Sequence, residues 1–307
     1  MEKTDKSYRQ NSNFICVTSD TTVSSIVNNS EFNDFSQFIF PIKNCPAYDQ
    51  NMRIENINSL LPYHSNINVN TTVNVINYLL DEVKYGKTIF YNYYSDKQKQ
   101  NDKNKKSTGL FFFKGNPGAP FAVICAGGGF EYVGSIHESF PYAIELSKKG
   151  YNAFSIEYRV GSGKQAATED LAAALSFIFR KADELEVSIN NYSVWGASAG
   201  VKMTANIGSN GVQAYGKDII LKPSVIIIQY GNSDYTRNDP PTFAVVGEKD
   251  PSSSRMEERI NNLRNIGIDT EFHIYRDVSH GFGLGIGTTA EGWINNAIKF
   301  WEKHIER

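Results

Sequence analysis

The sequence predicts an α/β protein: a mainly parallel sheet with an antiparallel hairpin at its N-terminal side and helices on both faces. Two observations predict it. From about residue 87 onward, short apolar runs of strand length alternate with stretches of helical periodicity. Those runs, such as 121–126 (FAVICA) and 225–228 (VIII), are apolar at consecutive positions, as strands covered on both faces must be. A third observation bounds this unit. Residues 1–80 are rich in Asn, Ser and Thr, with scattered aromatics (Phe32, Phe35, Phe38, Phe40) and no sustained period. They read as an irregular extension with one helix around 71–83, suited to cover the main unit or to make an oligomer contact. Residues 81–307 read as the catalytic unit.

Each later element has its own local reason. Residues 88–94 (TIFYNYY) are β-branched and aromatic, as a strand should be. The charged stretch 95–107 reads as a solvated loop. Residues 109–114 (GLFFFK) then close a long hairpin, and Asn116-Pro117-Gly118 is a turn. A helix from about Phe140 should stop at Gly150, a residue that tolerates a left-handed conformation. Strand 153–158 follows. A helix over 168–185 carries Glu169 and Asp170 early and Arg180 and Lys181 late, which complements the helix dipole. Strands 192–196, 224–229 and 243–247 come next. Ser254-x-x-Glu257 is read as a capping box opening a helix to about Asn265. After strand Thr270–Tyr275, a second capping box, Thr288-x-x-Glu291, is read as opening the last helix. There Ile294, Ala297, Ile298, Trp301 and Ile305 share one face.

Composition excludes several function classes. The chain has 307 residues and a formal net charge of -2, so no basic field exists to hold a nucleic acid. No apolar run approaches the ~20 residues of a membrane helix, and no apolar signal core is visible, so a cytoplasmic location is expected. The three cysteines (Cys16, Cys45, Cys125) are widely spaced and read as free thiols. The five histidines never fall at metal-ligand spacing, so no metal and no cofactor are expected.

One constellation carries chemistry. Gly196-Ala197-Ser198-Ala199-Gly200 is a G-x-S-x-G between a strand and a helix, a junction that forces a sharp turn and lifts the serine hydroxyl off the sheet. A serine hydroxyl needs a base to become a nucleophile. His280, directly after strand Thr270–Tyr275 and beside Gly281, fits that role; His64, His273 and His304 fit it less well. The imidazole needs a carboxylate, and Asp250, in the loop after strand 243–247, is favoured over Glu248 and Asp277. Gly127-Gly128-Gly129, after strand 121–126, offers inward-turned amides for an oxyanion. Gly128 and Gly129 are the expected donors there, together with the amide of Ala199. A phosphate-binding loop is disfavoured, because neither GxGxxG spacing nor a following Lys-Ser/Thr is present. Phe130, Tyr132 and His137 stand near this loop as candidate pocket residues.

Over about 87–307 these residues resemble the α/β-hydrolase superfamily, and its esterase/lipase or carbohydrate-esterase-like branch in particular. The resemblance rests on Ala126-Gly127-Gly128-Gly129-Phe130, the Gly196–Gly200 elbow and His280-Gly281-Phe282. It implies a cofactor-free serine esterase acting on short-chain acyl esters, including acetyl groups on carbohydrates. The partner is then a small-molecule ester or acylated carbohydrate, with no nucleic acid or membrane and with homo-oligomerisation open. Ala126 stands where such relatives carry His or Pro, and the common lid after the strand ending near Gln229 is missing, since only 230–242 separate the next strand. The alternatives are a peptidase of the same fold, for which the extension is short as a selectivity domain, and a non-catalytic binder on a hydrolase fold.

Overall fold

The computed structural model describes residues 16–43, 45–216 and 218–305. Its centre is one eight-stranded sheet with the order β1-β2-β4-β3-β5-β6-β7-β8. The strands are β1 (Phe90–Tyr91), β2 (Gly109–Phe113), β3 (Pro120–Cys125), β4 (Asn152–Glu157), β5 (Ser188–Ala197), β6 (Val225–Gln229), β7 (Thr242–Gly247) and β8 (Thr270–Tyr275). β1 pairs with β2 and β2 with β4 in antiparallel sense; every other pairing is parallel. The expected parallel sheet with an antiparallel N-terminal hairpin is therefore present.

The α-helices are α1 (Val23–Val27), α2 (Val69–Lys84), α3 (Asp96–Asn101), α4 (Ser139–Lys148), α5 (Gly163–Arg180), α6 (Ala182–Leu185), α7 (Gly200–Asn210), α8 (Ser253–Asn265) and α9 (Trp293–Ile305), with short 3₁₀ turns between. Every residue of β4, β6 and β7 is buried, so both faces of the sheet centre are covered. That is why these strands read as continuous apolar runs. The edge strand β8 is only half-buried along its length.

Four local expectations need correction. The stretch 95–107 is not a bare loop. Ser95 and Gln98 form a reciprocal capping box at the start of α3, and a 3₁₀ turn follows over Lys103–Ser107. The long helix begins at Gly163, not 168, so Glu169 and Asp170 lie past its first turn, where the dipole argument lapses. The Asp170 carboxylate instead binds the Arg159 guanidinium and the Tyr94 hydroxyl. Neither proposed box at Ser254 or Thr288 opens its helix. α8 starts at Ser253 with no side-chain cap. Thr288 and Glu291 close a turn before α9, where the Glu291 carboxylate accepts from the Gly287 N–H and the Thr288 hydroxyl donates to the Gly285 carbonyl. Thr288 and Glu291 thus found backbone partners in a turn rather than at a helix end.

After the β1–β2 hairpin the chain runs into β3, crosses out to β4, then returns to the other side of β3 as β5. The carboxyl ends of β3 and β5 thus flank the point where strand order reverses, the place where open α/β sheets form a crevice. The loops after β3, β5, β7 and β8 all open on that edge, and each carries part of the site.

Candidate active site

Ser198 directly follows β5 and adopts φ +50°, a left-handed conformation that a serine holds only at a cost of ~1–3 kcal/mol. The tight junction needs small residues around it. A Cβ on Gly200 would lie 2.1 Å from the Cys125 carbonyl oxygen, so the first turn of α7 sits directly on the end of β3. The Ser198 N–H donates to the Gln229 carbonyl at the end of β6, which anchors the turn to the neighbouring strand. The hydroxyl is left half-buried and free to face the crevice.

His280 reaches this hydroxyl from the loop after β8, with Nε2 2.9 Å from Ser198 Oγ. Its Nδ1 lies 2.7 Å from Asp250 Oδ2. The second Asp250 oxygen accepts from the Ser252 N–H and hydroxyl, both at 2.7 Å, so the carboxylate is fully engaged and its side chain fully buried. Burial opposes the Asp250 charge, but the hydrogen bonds from His280 and Ser252 outweigh it and hold the carboxyl below its ordinary range. Burial likewise opposes the His280 imidazolium. The Asp250 hydrogen bond and charge again prevail, and the imidazole titrates above its ordinary value of 6.5. The rejected alternatives lie elsewhere. Glu248 accepts from the Asp277 N–H, and Asp277 pairs with Lys249 on the surface.

The glycine loop lies against the serine. A Cβ on Gly127 would come within 2.7 Å of Ser198 Cβ, and one on Gly128, at φ +128°, would strike the Tyr132 carbonyl at 2.3 Å. Gly129 and Ala199 both line the cleft with Ser198 and His280. Ala199 precedes the first turn of α7, so its N–H belongs to the helix's open donors. Ala126, at the root of the loop, accepts a 2.7 Å hydrogen bond from the Tyr158 hydroxyl on its carbonyl. Of the candidate pocket residues, Phe130 lines the cleft. Tyr132 and His137 do not. Tyr132 lines a separate cavity, and His137 is buried with Nε2 3.0 Å from the Gly281 carbonyl. Burial and the neighbouring His64 push the His137 imidazole down to about 4, so it serves as a neutral support for the His280 loop.

Sequence reasoning missed the other half of the site. Residues 62–65 of the extension form a wall of the cleft, with Pro62, Tyr63 and His64 facing Ser198 and His280. Ser65 fastens them: its hydroxyl donates to the His280 carbonyl at 2.6 Å and its N–H to the Gly281 carbonyl at 2.9 Å. His64 Nδ1 lies 2.9 Å from the Tyr132 hydroxyl. Its Nε2 lies 3.0 Å from Glu138 Oε1, the distance of an ion pair, though the approach is too oblique for a good hydrogen bond. Glu138 is wholly buried. It accepts from the Gly127 N–H and, at 2.7 Å, from the Tyr230 hydroxyl. Burial works against this carboxylate, but His64, the Gly127 amide and Tyr230 hold it ionised, with its pKa down at about 2. The Tyr230 ring packs 5.1 Å from the His280 ring. The one sequence signal for Glu138 is an acid placed just before the first turn of α4. His64 carries no signal, because it lies in a segment without period.

Comparison with known proteins agrees with this architecture. The profile of the family described as BD-FAE matches residues 113–234, which include the glycine loop and the elbow but not Asp250 or His280. No curated protein matches the sequence. Among solved structures, an α/β hydrolase enzyme, MGS-M1, from a Medee basin deep-sea metagenome library is 20% identical, with a TM-score of 0.56 over 65% of this chain and 93% of its own. The acetyl ester-xyloside bifunctional hydrolase of Caldicellulosiruptor lactoaceticus is 21% identical, with a TM-score of 0.57 over 64% and 88%. The carboxylesterase Cest-2923 of Lactobacillus plantarum WCFS1 is 18% identical, with a TM-score of 0.56 over 64% and 92%. At these identities the likeness is one of fold.

Proposed function

We propose that this chain, an α/β hydrolase by fold, is a serine carboxylic-ester hydrolase in which Ser198, His280 and Asp250 act as a triad. The observation that carries the reading is the unbroken relay from the Ser198 hydroxyl through both ring nitrogens of His280 to a buried, ionised Asp250, at 2.9 and 2.7 Å. In this reading Ser198 Oγ attacks the ester carbonyl while His280 Nε2 takes its proton. The amides of Gly128, Gly129 and Ala199 receive the oxyanion. Collapse expels the alcohol, which takes the proton back from His280, and a water activated by the same imidazole releases the acid. Asp250 fixes the ring tautomer and favours the imidazolium.

The substrate is read as a short acyl ester of a polar alcohol, such as an acetylated carbohydrate. The cleft wall beyond Ser198 is polar, with Lys202, Asn206, Asn232 and Arg255. Asn232 Oδ1 and the Ser233 hydroxyl there are buried without partners among the described residues, which suits a hydroxylated leaving group. Only residues 230–241 link β6 to β7, too short for a lid that would shelter a long acyl chain. Residues 1–80 are then an extension whose segment 62–65 walls the cleft, and 81–307 the catalytic unit. Among the described residues no helix is long and apolar enough to cross a membrane.

The test is turnover of p-nitrophenyl acetate and labelling by a fluorophosphonate probe. Both are expected in the wild type and lost in Ser198→Ala. Equal turnover in the two proteins overturns the reading of Ser198, and wild type that neither turns over nor labels points to a binder on a hydrolase fold. A panel of acetylated sugars against p-nitrophenyl esters of increasing chain length tests the substrate class. Rates that rise with acyl length would reverse it.

A further inference from the structure

A second cavity of about 640 Å³ shares no lining residue with the catalytic cleft. The loop after β3 divides the two, giving Gly129 and Phe130 to the cleft and residues 131–133 to the cavity. Segment 36–43 of the extension forms one wall, and residues 157–160, at and just beyond the end of β4, form the other. Its size is that of a small-molecule site, ~300–1,000 Å³. From its lining we infer that it binds a neutral, hydroxyl-rich ligand of one or two sugar rings.

Glu157 is the first reason. It is only 4% exposed, and it lines this cavity. One carboxyl oxygen accepts from the Ser135 hydroxyl; the other has no partner among the described residues. Burial raises this carboxyl to about 8, with only Ser135 opposing, so at neutral pH it is protonated and offers a donor as well as an acceptor. A buried polar group of this kind is costly unless something bonds to it. A wholly apolar ligand would leave it stranded.

The surrounding charges are the second reason. Arg159 looks like an anion site but is already committed: its guanidinium binds buried Asp170, Asp102 at 3.1 Å and Glu169 at 3.4 Å. Lys43, at the mouth, rests on the Ser107 hydroxyl at 3.2 Å, and Glu131 accepts from the Tyr63 hydroxyl at 2.7 Å. An anion would gain one surface lysine and face Glu131; a cation would face Lys43 and find Glu131 already bonded to Tyr63. Neutral ligands escape both penalties. The rings of Phe38, Tyr48 and Tyr132 supply half-buried apolar surface beside the polar atoms. A pyranose presents that same pairing, a ring face of C–H bonds and an edge of hydroxyls.

The test is calorimetric titration with cellobiose, xylobiose and maltose. These carry no ester, so the outcome does not depend on the chemistry at Ser198, and either reading can fail alone. At least one disaccharide is expected to bind at a ratio of one. Glu157→Leu should weaken it tenfold or more, Glu157→Gln threefold or less, and Tyr48→Ala several-fold; Tyr48, at the half-buried rim, serves should Glu157→Leu not fold. Lys202→Ala, in the catalytic cleft, should leave the affinity as it was. Absence of binding by all three sugars overturns the inference. So does binding that survives both Glu157→Leu and Tyr48→Ala, or that is lost in Lys202→Ala, which would assign the sugar to the cleft.

Discussion

The site contains two carboxylate–imidazole pairs, and they differ in what the imidazole can reach. Asp250 and His280 lie 2.7 Å apart on loops at the carboxyl edge of the sheet, and the His280 side chain is 33% exposed. Glu138 and His64 lie 3.0 Å apart behind the glycine loop, and the His64 side chain is 1% exposed. The first pair hands its free ring nitrogen to a serine hydroxyl. The second spends its other nitrogen on the Tyr132 hydroxyl and its carboxylate on the Gly127 amide and Tyr230. In the proposed mechanism the same chemical unit serves reaction in one place and scaffolding in the other, and solvent access decides which. A buried pair whose other atoms are bonded to the surrounding scaffold can fix a loop, but it has nowhere to send a proton.

The comparison makes opposite demands on variants. The largest expected effect is on rate at the exposed pair. His280→Ala should lower kcat for p-nitrophenyl acetate by roughly 10⁵ or more, since removing nucleophile or base disables the whole unit. Asp250→Asn should cost about 10⁴ by releasing the tautomer. The pH profile sharpens this. In the proposed mechanism activity requires neutral His280, so it should rise with pH through the imidazole's pKa, which stands above 6.5 in the wild type. The residual activity of Asp250→Asn should switch on at lower pH, because the raising interaction is gone. An acid limb that does not move would show that Asp250 does not govern His280.

At the buried pair the order inverts. His64→Ala leaves the Glu138 charge uncompensated in the interior, a loss of ~3–5 kcal/mol when one partner of a buried pair is removed. Denaturant midpoints should fall accordingly. The rate should drop only about 10- to 100-fold, through looser placement of Gly128 and Gly129. If His64→Ala abolished turnover while keeping full stability, the buried pair would be part of the chemistry and the distinction drawn above would collapse.

The exposed pair was legible in the sequence and the buried one was not, for a physical reason. Ser198 and Asp250 follow strands whose apolar runs announce them and His280 follows the alternating strand Thr270–Tyr275, so the parallel topology alone brings their loops to one edge. Elbow and glycine loop also require small residues at fixed offsets, and that requirement is written in the letters. His64 has no such frame. It stands in an irregular stretch after the 3₁₀ turn Ile54–Leu60, and long-range contacts set its position: the hydrogen bonds of Ser65 to His280 and Gly281 and its own ring's bond to Tyr132. Pairings between residues more than two hundred positions apart leave no periodic trace. The two misread capping boxes fail for a related cause. Ser254 and Thr288 have the right partners three residues on, but α8 begins one residue before Ser254, and the Thr288 hydroxyl is taken by the Gly285 carbonyl in a turn.

A third buried carboxyl, Glu157, has no imidazole beside it and so measures what the partner contributes. Glu138, with His64, is held down at about 2; Glu157, with only a serine hydroxyl, is pushed up to about 8 by burial. In the unfolded chain both titrate near 4.5. Stability should therefore fall at both ends of the pH range for different reasons. Below 4.5 the unfolded chain binds a proton that native Glu138 refuses, and stability drops as pH falls toward 2. Between 4.5 and 8 the unfolded chain has released a proton that native Glu157 still holds, so stability drops as pH rises and levels off above 8. Glu157→Gln removes the second effect alone. Its advantage over wild type should be near its minimum at pH 4.5 and grow to roughly 3 kcal/mol by pH 7, at about 1.36 kcal/mol per pH unit. Urea midpoints of the two proteins at pH 5, 6, 7 and 8 measure that divergence. A constant difference across the series would mean that Glu157 is ionised in the native protein, and that burial without an imidazole does not by itself set the state of an acid in this fold.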